Sequence, residues 1–395
     1  MSLPVLKLKA KEDKRIRQGH LWVYSNEVDT KATPLKSFES GSQVELQSSQ
    51  GKSLGVAYIN PNSLICARIL SRQNKLFGTS QIIQRLQSAL ALREMCFDEP
   101  FYRLVYGESD GLPGLVIDRF GDYFVAQIST AGMEALKPQI QAALIKVFEM
   151  KGLLWKNDGK MRVQEGLEEY VTIAEGDVPK MLPMIENGTK FEAPVWDGQK
   201  TGWFYDHRLN RQRINEHVKG KRVLDICSYI GGWGIQAATA GAEHVVCVDT
   251  SNQALNWVDH NATLNGVNDK VETIRGDAFA VMEKLLEEQQ RFDVVILDPP
   301  AFIPKRKDIG PGERAYQKLN QLGMRLLGTE GLLVSASCSM HLSESSLDRM
   351  LSQVGRHLDR NVQIIERGSQ GPDHPVHPGI PETRYIKSLM CRISS

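Results

Sequence analysis

The sequence RVLDICSYIGGWG, from Arg222 to Gly234, combines a predicted buried strand with a turn that is suited to bind a ligand. Its first half is apolar, and Gly231, Gly232 and Gly234 then interrupt it before a short helix of small residues. Glycines at a strand-to-helix turn let a ligand approach the backbone closely, and the helix N-terminus offers free N–H groups. The alternative interpretation is a turn that only packs tightly against its helix.

Two carboxylates near this turn restrict the kind of ligand. The next predicted strand ends in Asp249, roughly twenty residues further on, where a nucleotide-binding fold places the acid that binds a ribose. Asp225, at the end of the first strand, would repel a pyrophosphate, and the glycines do not follow the dinucleotide pattern G-x-G-x-x-G. A carboxylate at this position suits a cationic ligand that carries an amine, such as S-adenosylmethionine.

Length and composition restrict the class of protein. A chain of 395 residues is too long for one ordinary hydrophobic core, so we expect two or three domains. The net charge of +1 gives no global basic excess, so an RNA-binding surface must be local. The six cysteines form no CxxC pair, which argues against a disulfide framework or a zinc site and for a reducing cytosol. Because the sequence has no membrane-spanning apolar run and no signal-peptide pattern, we expect a cytoplasmic protein.

Residues 1–75 are predicted to form a small β-rich domain, since short alternating segments are separated by turn residues. Its basic cluster comprises Lys11, Lys14, Arg15 and Arg17. The cluster precedes His20, Trp22 and Tyr24, and this edge could contact RNA phosphates and stack a base. A solvated charge run beside core aromatic residues is the alternative interpretation.

Residues 76–185 are predicted to form a compact α+β domain, because helical and strand patterns both occur there. The acids Glu108, Asp110 and Asp118 lie in or beside its glycine-rich turns. Acidic residues next to glycine usually reflect turn chemistry, so we predict no metal site at these positions.

Residues 186–395 alternate predicted strands with amphipathic helices, which indicates a doubly wound sheet. The last two strands have no helix between them, so we expect the final strand to run antiparallel. Four strand ends carry an acid and a fifth carries a cysteine, in the order Asp225, Asp249, Asp277, Asp298 and Cys338. In such a sheet all five positions lie on one rim, where ligands bind.

The segment Asp298–Phe302, with the sequence DPPAF, is the most distinctive of these strand ends. Pro299 and Pro300 stiffen the backbone and remove N–H donors, which leaves carbonyl groups free to face an amino group on a flat substrate. Phe302 could stack a base. A strand that is simply terminated by prolines is the alternative interpretation.

Cys338 follows the next strand and is flanked by two serines. It could be an inert buried thiol, because free cysteine is among the most buried residue types. The neighbouring Asp298-Pro-Pro sequence favours a nucleophile instead. Ser337 and Ser339 could hold the cysteine by hydrogen bonds.

The order of these motifs resembles that of class I S-adenosylmethionine-dependent RNA methyltransferases. More narrowly, it is similar to the bacterial 23S rRNA (cytosine-5)-methyltransferases of the large-subunit methyltransferase I family. The resemblance covers essentially the whole chain and includes four further stretches, at Gly19–Val23, Gly107–Gly114, Lys200–Arg208 and Asp373–Pro375.

The resemblance implies an α/β fold with three domains. A Rossmann-like, seven-stranded class I methyltransferase domain at 186–395 would follow a PUA-like RNA-binding domain at 1–75 and a small α+β domain at 76–185. It also implies S-adenosyl-L-methionine as the cofactor and RNA, either 23S rRNA or a large-subunit precursor, as the partner. A homodimer is compatible with the family.

The resemblance and the glycine turn together give a candidate cofactor-binding set. Its members are Thr201, Phe204, Asp206, Arg208, Asp225, Tyr229, Gly231, Gly232, Asp249, Ser251, Asp277, Ala278 and Asp298. Within it, Asp249 would bind the ribose hydroxyls, and Asp277 and Ala278 would lie beside the adenine. His207 stands where the family often has glutamine, a departure that weakens any expected role for that side chain.

The expected mechanism begins with attack of the Cys338 thiolate on carbon 6 of the pyrimidine, which makes carbon 5 able to accept a methyl group. Asp298 would stabilise the protonated base as the adduct develops. The substrate would be bound by Pro299, Pro300, Phe302, Lys305 and Arg306. The residue that removes the proton from carbon 5 is not evident, because Ala301 and Phe302 occupy the places where related enzymes carry a second cysteine.

Four other functions remain open at this point. A guanine N-methyltransferase would use the same cofactor without a nucleophile, and a uracil-5 methyltransferase would use the same cysteine. A non-catalytic RNA-binding protein could retain the fold. A nicotinamide oxidoreductase would share the sheet, but the dinucleotide glycine pattern is missing.

Overall fold

The computed structural model describes residues 3–395, so Met1 and Ser2 of the predicted first domain lie outside the described residues. The chain divides into two compact units. Unit 1 contains the described residues up to Met184 together with Ala193–Tyr205 and Pro372–Thr383. Unit 2 contains Ile185–Glu192, Asp206–Gly371 and Arg384–Ser395.

Unit 1 begins with a five-stranded sheet. Its strands are β1 (Val5–Lys7), β2 (Trp22–Tyr24), β3 (Gln43–Gln47), β4 (Ser53–Ile59) and β5 (Ile65–Ser71), with the short helix α1 (Lys14–Arg17) after β1. The strand order is β1-β3-β4-β5-β2, and only the β1–β3 pair is parallel. Alternate residues point inward, so that Leu6, Val44 and Leu46 are fully buried in one apolar core.

A second sheet of unit 1 follows the long helix α2 (Thr79–Cys96). Its strands are β6 (Phe101–Tyr106), β7 (Leu115–Phe120), β8 (Tyr123–Ile128), β9 (Gly152–Asn157) and β10 (Tyr170–Gly176). The helices α3 (Ala131–Ala135), α4 (Lys137–Val147) and α5 (Met161–Gln164) lie between them in the chain. The order is β10-β9-β8-β7-β6, and only β8 and β9 run parallel.

Buried ion pairs connect distant parts of unit 1. Arg103 binds both carboxylate oxygens of Asp118 at 2.9 Å, and Arg93 binds Asp110 at 2.7 Å. Arg93 also donates to the carbonyl of Asp373 at 2.8 Å, and the backbone N–H of Arg103 donates to the Asp373 carboxylate at 3.1 Å. The segment 372–383 therefore packs with unit 1. The domain boundary predicted from the sequence, at residue 185, would instead assign this segment to the methyltransferase domain.

A β-hairpin and a seven-stranded sheet follow. The hairpin consists of β11 (Met181–Glu186) and β12 (Thr189–Pro194). The strands of the large sheet are β13 (Arg222–Ile226), β14 (His244–Asp249), β15 (Val271–Arg275), β16 (Phe292–Leu297), β17 (Leu327–Ser337), β18 (Asn361–Gly368) and β19 (Lys387–Ser394). The helices of unit 2 are α6 (Arg208–Asn215), α7 (Gly234–Thr239), α8 (Asn252–Leu264), α9 (Ala278–Glu287), α10 (Ile309–Leu326) and α11 (Glu344–His357).

The order of the large sheet is β15-β14-β13-β16-β17-β19-β18. Strands β13 to β17 pair in parallel, and β19 pairs antiparallel with both β17 and β18. The predicted seven-stranded sheet and its predicted antiparallel final strand are therefore both confirmed. Because β14 and β16 lie on either side of β13, the winding of the chain reverses there, and this is where such sheets bind ligands.

Alternating strands and helices bury a continuous apolar core in unit 2. Leu224, Val295 and Leu333 from the sheet are fully buried with residues such as Leu319 and Leu347 from the helices. The core holds the carboxyl ends of β13, β14, β16 and β17 at one edge of the sheet. Within residues 3–395, no helix is both long and apolar enough to cross a membrane.

Candidate active site

The carboxylates at four strand ends converge on one place. Burial raises the pKa of the Cys227 thiol strongly, and the carboxylates of Asp298, Asp249, Asp225 and Asp277 raise it further. Each carboxylate acts on the same thiol only because all four lie near it. The predicted rim of acids therefore exists around the turn that follows β13.

Asp225 is the most deeply buried of these acids, with no solvent-exposed surface. Its Oδ2 accepts a hydrogen bond from the Gly234 backbone N–H at 2.9 Å, whereas Oδ1 is buried and has no hydrogen-bond partner among residues 3–395. Burial raises the pKa of Asp225 to about 7, and the charges of Asp298 and Asp249 also raise it. A buried carboxylate oxygen without a partner suits a cationic donor, so the site fits the ammonium group of S-adenosylmethionine.

The glycine turn is tight around Asp225. Gly231 has a φ of +85°, a conformation that favours glycine, and Gly232 is buried. A Cβ atom at Gly234 would lie 2.4 Å from Cys247 Sγ and 3.2 Å from Asp225 Oδ2. Only glycine therefore lets the turn approach β14 and present its N–H to Asp225.

Asp249 is held in position by the backbone. Its carboxylate accepts hydrogen bonds from the N–H groups of Tyr229 at 3.0 Å and Ser251 at 2.9 Å. The Ser251 hydroxyl caps helix α8 by accepting from Ala254 N–H at 3.2 Å, and the Tyr229 ring packs edge-on against Trp257. The acid is thus fixed at the end of β14, while Ser251 has a structural contact of its own.

Asp277 performs a similar capping role at the start of α9. One of its carboxylate oxygens accepts from the N–H groups of Phe279 at 3.0 Å and Ala280 at 3.2 Å. The residue is exposed and Ala278 is partly buried. This cap fixes the position of both residues beside the converging acids.

Asp298 forms a three-residue cluster with Trp233 and His207. The indole Nε1 of Trp233 donates to Oδ2 at 2.9 Å, and His207 Nε2 lies 3.4 Å from Oδ1. Asn210 Nδ2 lies 3.0 Å from His207 Nδ1 and also donates to the carbonyl of Ser369. This arrangement directs the Nε2 edge of the imidazole towards Asp298.

The two ionisable groups of this cluster stabilise each other's charged forms. Burial opposes both charges, but the imidazole of His207 and the hydrogen bonds to Asp298 outweigh it, so the pKa of Asp298 lies below its ordinary value. The carboxylate in turn raises the pKa of His207 against the effect of burial. The expectation of a weak role for His207 does not fit this geometry. The stretch Lys200–Arg208 contains His207, but no local sequence pattern indicates its contact with Asp298.

Cys338 lies directly after β17, is partly buried, and sits in a loop that is fixed by Tyr316. The Ser337 hydroxyl donates to Tyr316 Oη at 2.9 Å, and Ser339 Oγ lies 2.8 Å from the same oxygen. Ile303 N–H donates to Ser339 Oγ at 3.3 Å, which connects the proline loop to the cysteine loop. The two serines thus fix the backbone around the cysteine through Tyr316, a residue that sequence analysis did not include in the site.

Comparisons with known proteins agree with this arrangement. A family model described as a PUA-like domain matches residues 6–72, and one described as an S-adenosylmethionine-dependent methyltransferase matches residues 169–379. The protein named ribosomal RNA large subunit methyltransferase I from Aliivibrio fischeri is 34% identical over 390 residues, covering 96% of this chain and 97% of the relative. The protein of the same name from Erwinia tasmaniensis is 34% identical over 402 residues and covers 100% of both chains.

The chain belongs to the ribosomal RNA large subunit methyltransferase I family. Solved structures agree at the level of the fold. A methyltransferase, SMU.776, solved in complex with SAH has a TM-score of 0.84 and 19% sequence identity, covering 99% of this chain and 100% of its own. A SAM-dependent methyltransferase from Streptococcus mutans has a TM-score of 0.83 and 20% identity with the same coverage. The predicted fold class and the predicted cofactor, S-adenosylmethionine, are both confirmed.

The remaining predicted cofactor residues of this methyltransferase differ in their surroundings. In unit 2, Asp206 Oδ2 accepts from the Tyr385 hydroxyl at 2.6 Å, and Arg208 Nε lies 3.5 Å from the buried carboxylate of Glu186. In unit 1, the fully buried Thr201 donates to Asp118 Oδ2 at 2.5 Å. These three contacts are structural.

Phe204 also belongs to unit 1 and is partly buried, with the Lys200 ammonium 4.8 Å from the centre of its ring. A cofactor-binding role for Phe204 and for the residues of the preceding paragraph stays a prediction.

The predicted substrate residues of this methyltransferase surround the proline loop. Pro299 is buried, and Pro300 is exposed. The Phe302 ring packs between Phe279, with ring centres 6.1 Å apart, and Tyr316, at 4.9 Å. Phe302 is thus already part of an aromatic cluster. Lys305 and Arg306 are exposed immediately beyond it.

Proposed function

We propose that this methyltransferase places a methyl group on carbon 5 of a cytosine in 23S rRNA through a covalent adduct with Cys338. The family name given to its relatives supports ribosomal RNA of the large subunit as the substrate. The observation that carries the choice of carbon 5 is the position of Cys338. It is partly exposed at the end of β17, next to the strand that carries Asp298.

The chemistry of carbon 5 requires a nucleophile, because this carbon of a pyrimidine is itself poorly nucleophilic. Attack of the Cys338 thiolate on carbon 6 gives carbon 5 the character of an enamine. S-Adenosylmethionine supplies an electrophilic methyl group when it is bound. After carbon 5 has been methylated and has lost its proton, the sulfur of Cys338 leaves carbon 6 and the double bond of the ring is restored.

Asp298 would stabilise the charge that develops on the base. Its carboxylate is kept ionised by His207, and Trp233 fixes one of its oxygens. An ionised carboxylate beside the base accepts a hydrogen bond from the protonated ring nitrogen or from the amino group. The carbonyl groups beside Pro299 and Pro300 are suited to face the same amino group.

Binding of RNA would combine local charge with base extrusion. Lys305 and Arg306 are exposed next to the proline loop and suit contacts with phosphates. A base within a helix has to leave its stack before it can reach Cys338. We assign Phe302 and Phe279 to the wall that such a base would contact.

The cofactor would be held by the converging acids. Asp225 would bind the ammonium group, Asp249 the ribose hydroxyls, and Asp277 with Ala278 the edge of the adenine. The glycine turn would let the ligand approach the backbone, and Tyr229 and Ser251 border it. Thr201, Phe204, Asp206 and Arg208 complete the predicted set.

The test is nucleoside analysis of deproteinised 23S rRNA after incubation with the protein and methyl-labelled S-adenosylmethionine. Wild type and Cys338→Ala are compared, with Cys391→Ala, a buried thiol on β19, as the matched control. We expect label in 5-methylcytosine with wild type and the control, and none with Cys338→Ala. Label in a methylguanosine that survives Cys338→Ala would contradict the proposal. Label in 5-methyluridine would show that the methylated base is uracil and not cytosine.

We further propose a cytoplasmic location, since its rRNA substrate is found there, and a homodimer, which is compatible with the family. Light scattering at several concentrations tests the dimer, and a mass of 44.3 kDa at all of them contradicts it. The absence of any methyl transfer by the folded, cofactor-binding protein would instead favour a non-catalytic RNA-binding function.

A further inference from the structure

Lys387 is a buried amine beside Cys338 that has no role in the steps described above. Its side chain lies at the start of β19 and the residue is only 8% exposed. Its Nζ donates to the carbonyl oxygen of Ser339 at 2.7 Å, and the strand register places Lys387 opposite Ser337. The amine therefore contacts the residue directly after Cys338, and the Lys387 backbone pairs with the residue directly before it.

The surroundings of Lys387 make a larger fraction of this amine neutral near physiological pH than in an ordinary lysine. Burial lowers the pKa of Lys387 to about 8, and Arg384 also lowers it, whereas Cys338 and Glu344 act in the opposite direction. About half of such amines carry a free lone pair at pH 8. Tyr316, which also contacts this loop, has a pKa that burial raises, so its hydroxyl keeps its proton.

The reaction requires a base on the side of the ring that faces the cysteine. When the sulfur of Cys338 is bonded to one face at carbon 6, methylation of carbon 5 from the other face turns the hydrogen of carbon 5 towards the sulfur. A base removes this proton most effectively when its pKa is near the working pH. Asp298 is less suited, because its pKa is held low by His207 and its oxygens are engaged by that residue and Trp233.

We propose that Lys387 is the base that removes the proton from carbon 5 of the methylated adduct. The proposal rests on the proposed cytosine-5 activity. The lone pair of the neutral amine takes the proton, and the electron pair of the carbon–hydrogen bond forms the double bond between carbons 5 and 6. The bond from carbon 6 to sulfur breaks, and Cys338 leaves as a thiolate. The new ammonium group then releases its proton to solvent.

The experiment separates formation of the adduct from its breakdown. A 23S rRNA transcript made with [5-³H]cytidine is incubated with ¹⁴C-methyl-labelled S-adenosylmethionine. Release of tritium reports removal of the proton, and ¹⁴C in a protein–RNA complex that survives SDS reports the methylated adduct. The variants are Lys387→Met and Lys387→Arg, and the latter keeps the positive charge but cannot act as a base at neutral pH.

We expect both variants to accumulate the ¹⁴C-labelled adduct and to release tritium at least about 100-fold more slowly than wild type. The matched control is Arg392→Met, which removes a long cationic side chain from an exposed position on the same strand. It should behave as wild type in both assays.

Two results would overturn the proposal. One is release of tritium at the wild-type rate by Lys387→Arg. The other is loss of the adduct from Lys387→Arg, as in Cys338→Ala, because the amine would then act before proton removal. The failure of the proposed function has a different signature, since wild type itself would then form no adduct and release no tritium, and the assignment of Lys387 would fall with it.

Discussion

Two aspartates on neighbouring strands have their pKa values moved in opposite directions by their surroundings. Asp225 is fully buried, and burial raises its pKa to about 7 although the charge of Arg211 acts in the opposite direction. Asp298 lies against His207 and accepts from Trp233, and its pKa falls. The same residue type therefore serves two purposes, since Asp225 is ready to pair with an incoming cation and Asp298 is already ionised.

The state of Asp225 makes cofactor binding depend on pH. Below a pKa of about 7 the carboxyl group is protonated and cannot pair with the ammonium group of S-adenosylmethionine. We expect the affinity at pH 6 to be about tenfold lower than at pH 8. Isothermal titration calorimetry at the two values measures this, and Asp225→Asn should bind weakly at both. Equal wild-type affinities at pH 6 and pH 8 would contradict the assignment of Asp225.

The role of His207 can be tested by two substitutions, one of which keeps a side-chain N–H donor and one of which does not. His207→Ala removes the group that faces Asp298 Oδ1, whereas His207→Gln supplies an uncharged N–H donor. A hydrogen bond to a charged group contributes about 1.5–3 kcal/mol, so we expect His207→Ala to slow single-turnover methylation about 10- to 100-fold. His207→Gln should keep most of the activity. A wild-type rate for His207→Ala would show that Asp298 does not need this contact.

At the scale of elements, the loop that carries Cys338 depends on helix α10. Tyr316 projects from this helix and contacts the hydroxyls of both Ser337 and Ser339. The helix therefore fixes a loop that follows the next strand. This contact connects the packing of the core to the position of the nucleophile.

Removal of the Tyr316 hydroxyl should lower the free energy of unfolding measurably. Tyr316→Phe leaves two buried serine hydroxyls without their shared partner, and we expect a loss of about 1–3 kcal/mol in the free energy of unfolding. Urea unfolding measures it, and the rate of adduct formation should fall as well. Tyr123→Phe, at a partly exposed position at the start of β8, is the control. An unchanged unfolding midpoint and an unchanged rate for Tyr316→Phe would contradict this role for the helix.

The sequence was sufficient to predict the strands, the helices and the strand-end acids of the large sheet, because these follow from local patterns. Asp225, Asp249 and Asp298 each come directly after apolar residues, Asp277 follows the strand Val271–Arg275, and parallel topology brings the four together. The antiparallel final strand followed from the missing helix before it.

Contacts between residues far apart in the chain were beyond sequence analysis. The approach of His207 to Asp298 and of Lys387 to Ser339 depends on how elements pack, and no local pattern records it. For the same reason, the expectation that serines would hold Cys338 directly missed Tyr316, which projects from a preceding helix.

At the scale of the whole molecule, the order of the chain does not coincide with the compact units. Residues 193–205 and 372–383 return to unit 1 after the chain has entered unit 2. In unit 1, Asp118 accepts from Arg103 and Thr201. A buried carboxylate thus joins a strand of the second sheet to the segment 193–205.

This buried pair should be important for the stability of unit 1. Arg103→Met leaves Asp118 buried with fewer partners, and the expected loss in the free energy of unfolding is about 3–5 kcal/mol. The double variant Arg103→Met/Asp118→Leu removes both charges and should recover part of that loss. Urea unfolding, followed by circular dichroism, measures both. Equal destabilisation by the single and double variants would contradict an ionic origin.

The measurement that tests the central claim most directly is identification of the amino acid that becomes bonded to RNA. A 23S rRNA transcript containing 5-fluorocytidine has no proton to lose at carbon 5, so an adduct formed by attack at carbon 6 stays trapped. Mass spectrometry of the digested complex, formed with S-adenosylmethionine, should find a methylated fluorocytidine on Cys338. No trapped complex, or a complex through another residue such as the exposed Cys96, would contradict the account.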